Sequence, residues 1–183
     1  MSRLFEWDEL NLIREEAHRV MSLPKEKRDP KRFCDYLEFV LCLIYAYGWQ
    51  DAEKVIGSVI MPDGLDDKAV NLDIGNKTFR DRAEDVINDG TIGELLRIIE
   101  TESVRDYSAG VVDAGKQSGQ SGIRKRWNTQ LDDRVRDAHM ELEGVTVGID
   151  DLFYTADDSA YAPGGFEDPS LNCNCRCYIT LQA

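Results

Sequence analysis

The sequence predicts an α+β protein with a mainly helical N-terminal part and a small C-terminal helix-plus-β-strand unit. Apolar residues recur at helical spacing through most of the first 120 residues. A glycine- and serine-rich stretch, residues 115–122, interrupts this pattern. Short runs of β-branched and aromatic residues follow at 145–149 and 178–181. We therefore divide the chain into a helical region, residues 1–120, and a C-terminal unit, residues 121–183.

Five helical segments are expected in the N-terminal region. The second is apolar on nearly all sides, so we expect it to be the central helix. Asp29 is its expected N-cap, Pro30 lies in its first turn, and Gly48 is its expected end. A short helix–helix turn at Asp89 and Gly90 is expected to join the last two segments. The other four segments cover residues 5–21, 49–60, 77–88 and 91–117.

Isolated polar residues in these helices carry little functional signal. Glu100 and Glu102 are expected on a solvated face, because runs of charge usually face water. His18 lies on a polar helix and is expected at the surface. Cys34 and Cys42 belong to the apolar helix and are expected to pack in the core.

Composition argues against several classes of protein. A formal net charge of -13 over 183 residues argues against general affinity for a phosphate backbone. The most apolar stretch, residues 33–47, includes Asp35 and Glu38 and is shorter than the roughly 20 residues of a membrane span. No secretory signal pattern opens the chain, which favours a reducing compartment during synthesis. We expect no membrane partner.

A helix is predicted over residues 131–143 of the C-terminal unit. Five residues form its apolar stripe at helical spacing: Trp127, Leu131, Val135, Ala138 and Leu142. Gly144 is a natural stop for this helix. A second stripe is wholly ionisable and comprises Asp132, Arg136, His139 and Glu143. The spacing of Asp132 and Arg136 predicts an ion pair within the helix.

A closing strand is predicted from residue 173 to residue 181. Because side chains alternate along a strand, the sulfurs of Cys173, Cys175 and Cys177 would share one face. Asn174 and Arg176 would point to the other face. Residues 145–149 are expected to pair with the end of this strand.

The cysteines and one histidine suggest a metal site. Cys175 and Cys177, together with His139, suit Zn²⁺, whose protein ligands are thiolates and imidazoles. The fourth ligand would be Cys173, a carboxylate such as Asp132, or water. Two alternatives stay open: the thiols pack as small apolar groups while His139 bonds a backbone carbonyl, or two cysteines form a disulfide.

The chain has one dense basic cluster, which comprises Arg124, Lys125 and Arg126. It could contact DNA phosphate or an acidic partner, or it could neutralise neighbouring carboxylates. We favour neutralisation, because salt screens such small patches over roughly 8 Å.

Short motifs follow one another through the C-terminal unit in a distinctive order. They are Lys-Arg-Trp at 125–127, Asp-Arg-Val-Arg at 133–136, His139, Leu-Glu-Gly at 142–144, Asp-Leu-Phe at 151–153, a Pro-Gly loop, and Asn-Cys-Arg-Cys at 174–177. This order resembles the C-terminal domain of the phage Mu F-like minor head proteins, which are head-morphogenesis proteins of tailed phages and prophages. Seven residues would form the structural motif of that domain here: Trp127, Asp132, Asp133, Arg136, Gly144, Asn174 and Arg176.

The resemblance implies a minor structural component of the virion, located at the portal vertex and assembled in the host cytoplasm. Its partners would be portal or capsid proteins, and its role would be in head assembly, DNA packaging or genome ejection. Family members are often longer, and this acidic chain has no basic tail. We therefore do not expect direct DNA binding.

Two other functions are compatible with some of these residues. A zinc hydrolase or toxin-like enzyme would use His139, Asp132 or Asp133, and the Cys175/Cys177 pair. The sequence lacks His-Glu-x-x-His, the P-loop and Gly-x-Ser-x-Gly, so we predict that the chain is not an enzyme. An acidic interaction protein that mimics nucleic-acid charge is the remaining alternative.

Overall fold

The structure is a computed structural model that describes residues 8–61, residue 63 and residues 77–183. Its α-helices are α1 Asp8–Ser22, α2 Pro30–Ile56, α3 Phe79–Asp89, α4 Ile92–Gln117, α5 Asp137–Met140 and α6 Pro169–Asn172. Its strands are β1 Arg124–Asn128, β2 Thr146–Gly148, β3 Phe153–Tyr154, β4 Ser159–Ala160 and β5 Tyr178–Gln182. Long helices precede a small sheet, which confirms the predicted α+β class. The division at residue 120 stays a prediction.

Two long helices, α2 and α4, pack closely against each other in the centre of the helical part. A Cβ atom at Gly48 would overlap the carbonyl oxygen of Tyr107, and one at Gly110 would overlap the carbonyl oxygen of Tyr45. These glycines therefore allow the two backbones to meet. The predicted helix end at Gly48 is wrong, as is the separate helix at 49–60, because Gly48 serves this contact and α2 continues to Ile56.

The starts of these helices follow from local sequence. The Asp29 side chain accepts a hydrogen bond from the backbone N–H of Arg32, as expected for the N-cap of α2. Thr78 and Thr91 each form a capping box with the acidic residue three positions later. The turn between α3 and α4 falls at the predicted Asp89–Gly90 position.

The middle of α4 buries charged side chains. Glu102 is only 3% exposed, and its carboxylate lies 2.7 Å from Arg82 of α3 and 2.7 Å from Arg105. The prediction of a solvated face is therefore wrong for Glu102, because α3 and the C-terminal unit cover this side of α4. Asp106, one turn further along, is also fully buried.

The main sheet has three antiparallel strands in the order β2-β1-β5. Strand β1 is central: Arg126 lies opposite Thr146 of β2 and Thr180 of β5. The predicted pairing of 145–149 with 178–181 is wrong, because each strand pairs with β1 instead. Trp127, expected on a helix, lies in this central strand.

One apolar core runs from the helices into the sheet. The C-terminal end of α4 contacts both parts, since a Cβ atom at Gly115 would lie 2.8 Å from Ile149 and 3.1 Å from Leu181. The core therefore fixes the position of β5, which follows the cysteine segment. Among the described helices, none is long and apolar enough to cross a membrane.

Candidate metal centre

The segment between β1 and α5 is a series of turns. Leu131 has a left-handed backbone (φ 53°) and is 66% exposed. The hydroxyl of Thr129 accepts from the N–H of Leu131 at 3.3 Å, and Asp132 accepts from the N–H of Arg134 at 3.2 Å. The predicted helix over 131–143 is wrong in this part, because these side chains bond the backbone locally. Only Asp137–Met140 is helical.

The short helix α5 places His139 against two cysteines. The Nδ1 atom of His139 lies 3.4 Å from Sγ of Cys177 and 3.6 Å from Sγ of Cys175. The three donor atoms all lie within 4.8 Å of one another, and the three residues are at most 4% exposed. The structure thus brings together three of the four predicted metal ligands and leaves Cys173 outside the group.

The cysteine segment is bent. Asn174 has φ 53°, and the N–H of Cys175 donates to the carbonyl oxygen of Asn172 at 3.1 Å, so residues 172–175 form a turn. The predicted strand over 173–177 is wrong, because β5 begins only at Tyr178. The turn removes the strict alternation that would have placed all three sulfurs on one face.

The pKa values of the two buried thiols, Cys175 and Cys177, are shifted in opposite directions. A hydrogen bond with Cys177, and to a smaller degree one with His139, lowers the pKa of Cys175 to about 5. The same bond with Cys175, together with burial, raises the pKa of Cys177. The thiolate is the form of cysteine that binds metals, so the lowered pKa of Cys175 is in the direction that suits a metal ligand.

Aromatic rings enclose the histidine. The imidazole of His139 stacks on Phe166 with ring centroids 5.5 Å apart, and Trp127 meets it edge-on at 5.7 Å. Its Nε2 atom is buried and has no hydrogen-bond partner in the described part of the chain. The amide of Asn172 holds Phe166 in place by bonding its backbone N–H at 3.0 Å and its carbonyl oxygen at 2.6 Å. No sequence pattern predicts this role of Asn172.

These three donors fit Zn²⁺. Tetrahedral coordination with typical Zn–S and Zn–N bond lengths separates sulfur and nitrogen ligands by about 3.6 Å. The observed separations of 3.4 and 3.6 Å agree with this value. A neutral imidazole nitrogen has one lone pair or one N–H, so a single hydrogen bond does not explain why two sulfurs meet the same Nδ1 atom.

A family model covers the part of the chain that contains this centre. The family model described as Phage Mu protein F like protein matches residues 69–180, which include α3, α4, most of the main sheet and the His139 centre. The chain belongs to the Phage Mu protein F like family. This confirms the resemblance drawn from the motifs.

Two relatives of the Mu F-like chain carry different names. It is 34% identical over 86 residues to NAD(+)--arginine ADP-ribosyltransferase EFV of Enterococcus faecalis, a match that covers 46% of this chain and 18% of that protein. It is 32% identical over 81 residues to minor head protein GP7 of Bacillus phage SPP1, which covers 43% of this chain and 26% of that protein. The matches thus span about a fifth to a quarter of these relatives. No solved structure matches the chain.

Charged motif residues of the Mu F-like unit brace the cysteine segment. Arg176 pairs with Asp132 at 2.5 Å, and Arg136 donates to the carbonyl oxygen of Cys173. The predicted Asp132–Arg136 ion pair is wrong, because both residues lie before the helix and reach the cysteine segment instead. Asp133 is exposed, and Gly144 has the expected left-handed backbone (φ 76°).

The basic cluster is split by the alternation of β1. Arg124 is exposed and donates to the carbonyl oxygen of Thr146 at 2.9 Å, and Arg126 lies 3.7 Å from Glu143. Lys125 is fully buried. The three basic residues therefore do not form one continuous patch, because a strand turns its middle residue to the opposite face. The position of Arg126 beside Glu143 agrees with the favoured neutralisation, and partner binding by this cluster stays a prediction.

Proposed function

We propose that the Mu F-like chain is a structural minor head protein of a tailed phage or prophage that binds portal or capsid proteins. The observation that carries this proposal is the family match, which spans most of the sheet and the His139 centre. The relative named minor head protein GP7 supports it. In this proposal the chain is a minor component of the virion at the portal vertex, and it acts in head morphogenesis, DNA packaging or ejection.

Protein partners suit this chain better than DNA. The net charge is -13, Lys125 is buried, and Arg126 lies beside the carboxylate of Glu143. Strong phosphate binding requires several accessible Lys or Arg side chains, since each contact adds to the salt-dependent affinity. Contacts with a portal or capsid subunit do not require a basic surface.

Co-purification tests the proposed partners. The tagged chain is expressed with the portal and major capsid proteins of the phage or prophage that encodes it, and the bound fraction is identified by mass spectrometry after a high-salt wash. We expect the portal or capsid protein in a salt-resistant complex. Recovery of neither, or tight binding of duplex DNA at physiological salt, would contradict the proposal. A tagged acidic protein of similar charge is the control for non-specific capture.

The proposed cofactor is one structural Zn²⁺ held by His139, Cys175 and Cys177. Two thiolates balance the charge of Zn²⁺, so the complex with these three ligands is neutral, which suits a site enclosed by aromatic rings. Metal analysis of protein purified without chelator tests this role. We expect one zinc per chain and a loss of thermal stability on chelation.

The chain is proposed to lack enzymatic activity. The segment shared with the ADP-ribosyltransferase is only 18% of that enzyme. The aspartate suggested as a base, Asp132, is paired with Arg176. Incubation with NAD⁺ and an arginine-containing acceptor tests this proposal: we expect no nicotinamide release above the level of a heat-denatured sample, and release above that level would contradict it.

A further inference from the structure

The group of His139, Cys175 and Cys177 lacks a fourth donor within the residues that the structure describes. Structural zinc sites are almost always four-coordinate. The three residues are 1%, 4% and 0% exposed, so they leave little access for bulk water. A neighbouring side chain that can turn towards the metal is therefore the best source of the fourth ligand.

The nearby carboxylates are already engaged. Asp132 accepts from Arg176 at 2.5 Å through one oxygen and from the N–H of Arg134 at 3.2 Å through the other. Glu143 accepts from the backbone N–H of Thr129 at 2.5 Å. Moving either carboxylate to a metal would leave these donors without acceptors, which costs free energy.

Cys173 has the freedom that the carboxylates lack. It is half-buried and free of disulfide bonds, and it is the second residue of the turn closed by Asn172 and Cys175. Rotation about χ1 from one staggered rotamer to another moves a cysteine sulfur by roughly 3 Å. The backbone can stay in place during this rotation, because Arg136 holds the carbonyl oxygen of Cys173.

A third thiolate leaves a single negative charge on the site, and a positive group lies beside Cys173 to offset it. The guanidinium of Arg136 donates to the carbonyl oxygen of Cys173. We propose that Cys173 is the fourth ligand and completes a Cys₃His zinc site. This inference rests on the proposed structural zinc.

Cobalt substitution of the whole chain tests this ligand. Co²⁺ replaces Zn²⁺ in tetrahedral sites, and its thiolate-to-metal charge-transfer absorption grows with the number of bound thiolates. In Cys173→Ser we expect this absorption to fall by about one third and the affinity for Zn²⁺ to fall at least about tenfold, because one of three thiolates is lost. Cys42→Ser removes a half-buried thiol from α2 and is the matched control.

These measurements distinguish a failure of Cys173 as a ligand from a failure of the zinc site itself. If Cys173→Ser binds Co²⁺ with unchanged absorption and Zn²⁺ with unchanged affinity, Cys173 is not a ligand, although the zinc role stands. If the unsubstituted chain binds neither ion, both proposals are wrong. Circular dichroism shows whether each variant is folded, and X-ray absorption of the zinc-loaded chain counts sulfur ligands without any substitution. Two sulfurs in that spectrum would overturn the inference.

Discussion

Asp132 and Arg176 form an ion pair that joins the two ends of the C-terminal unit. Oδ2 of Asp132 lies 2.5 Å from Nη1 of Arg176, which is 44 residues later in the chain. Asp132 belongs to the turns after β1, and Arg176 separates Cys175 from Cys177. The pair therefore holds the cysteine segment beside the loop that leads to His139.

The energy of this ion pair is expected to be small. Both side chains are about one third exposed, so water screens their attraction. A double-mutant cycle with Asp132→Asn and Arg176→Gln should give a coupling of about 0.5 to 1 kcal/mol in the free energy of unfolding. The exposed pair Lys31–Asp35 is the control and should give less. A coupling of several kcal/mol would mean that the pair is desolvated in solution.

Sequence patterns predicted the helices better than the C-terminal unit. Caps such as Asp29 and Thr91 act through the next few residues, so they can be recognised locally. The apolar stripe that includes Trp127 has helical spacing, but this spacing does not reveal that Trp127 lies in a central strand. Pairing of β1 with two distant strands depends on contacts across the chain, which one sequence does not show.

The candidate site was predicted in its residue types but not in its geometry. The chemistry of His139, Cys175 and Cys177 predicts a metal site, and the fold brings these three residues together. The partners of Asp132 and Arg136 were not predicted, because both depend on the turn at Asn174. A left-handed non-glycine residue has only a weak signal in a single sequence.

Replacing a cysteine of the metal site should cost more stability than replacing Cys34, a core cysteine on α2. Cys177→Ser or Cys175→Ser should lower the unfolding free energy of the zinc-loaded chain by about 3 kcal/mol or more, because a ligand is lost. Cys34→Ser, at a fully buried position outside the site, should cost about 1 to 2 kcal/mol. Thermal unfolding with and without chelator measures both. Equal, mild losses that chelator does not change would argue against the metal centre.

The contact between α2 and α4 should tolerate no side chain at its glycines. Gly48→Ala places a Cβ atom onto the carbonyl oxygen of Tyr107, so we expect a loss of about 3 kcal/mol or more in the free energy of unfolding. Gly93→Ala is the control, because a Cβ there meets nothing within 4 Å. It should change the free energy of unfolding by less than about 1 kcal/mol, because Gly93 lies in the first turn of α4 and helix propensity has its full effect only in a helix interior. Urea denaturation measures the free energy of unfolding of both variants. Similar changes in the two variants would mean that α2 and α4 lie further apart than in the structure.

The buried carboxyl group of Asp106 should cause the free energy of unfolding to fall as the pH rises from acidic values. Neither of its carboxylate oxygens has a partner among the described residues, and burial, followed by nearby Glu102, raises the pKa of Asp106 well above its ordinary value. The unfolded chain loses this proton near pH 4 while the folded chain keeps it. The unfolding free energy therefore declines above that pH, by up to about 1.4 kcal/mol per pH unit from this group.

Replacing Asp106 with a neutral side chain tests this pH dependence. Asp106→Asn should be more stable than the unsubstituted chain at pH 7, and the difference should shrink towards pH 4. Asp157→Asn, at an exposed position, is the control and should leave the pH profile unchanged. A variant that is equally destabilised at both pH values would indicate that the Asp106 carboxyl group forms a hydrogen bond in solution.

Lys125 should destabilise the fold below pH 8. Its Nζ atom is buried without a hydrogen-bond acceptor in the described residues, 4.9 Å from the ring centroid of Tyr161 and 5.6 Å from that of Phe153. Burial, followed by nearby Lys116, lowers the pKa of Lys125 to about 8. Between this value and about 10.4 the unfolded chain keeps a proton that the folded chain has lost, so stability from this group rises with pH.

Replacing Lys125 with an apolar side chain of similar length tests this pH dependence. Lys125→Met should remove the rise of the unfolding free energy with pH. It should also stabilise the chain at pH 7 by about 1 to 3 kcal/mol, because methionine leaves no unsatisfied donors. Lys27→Met, at an exposed position, is the control for loss of a positive charge. Chemical denaturation at pH 7 and pH 10 measures both variants. If Lys125→Met is less stable at pH 7, attraction of the ammonium to Tyr161 and Phe153 outweighs the cost of burying it, and the lysine stabilises the loop that carries Tyr161.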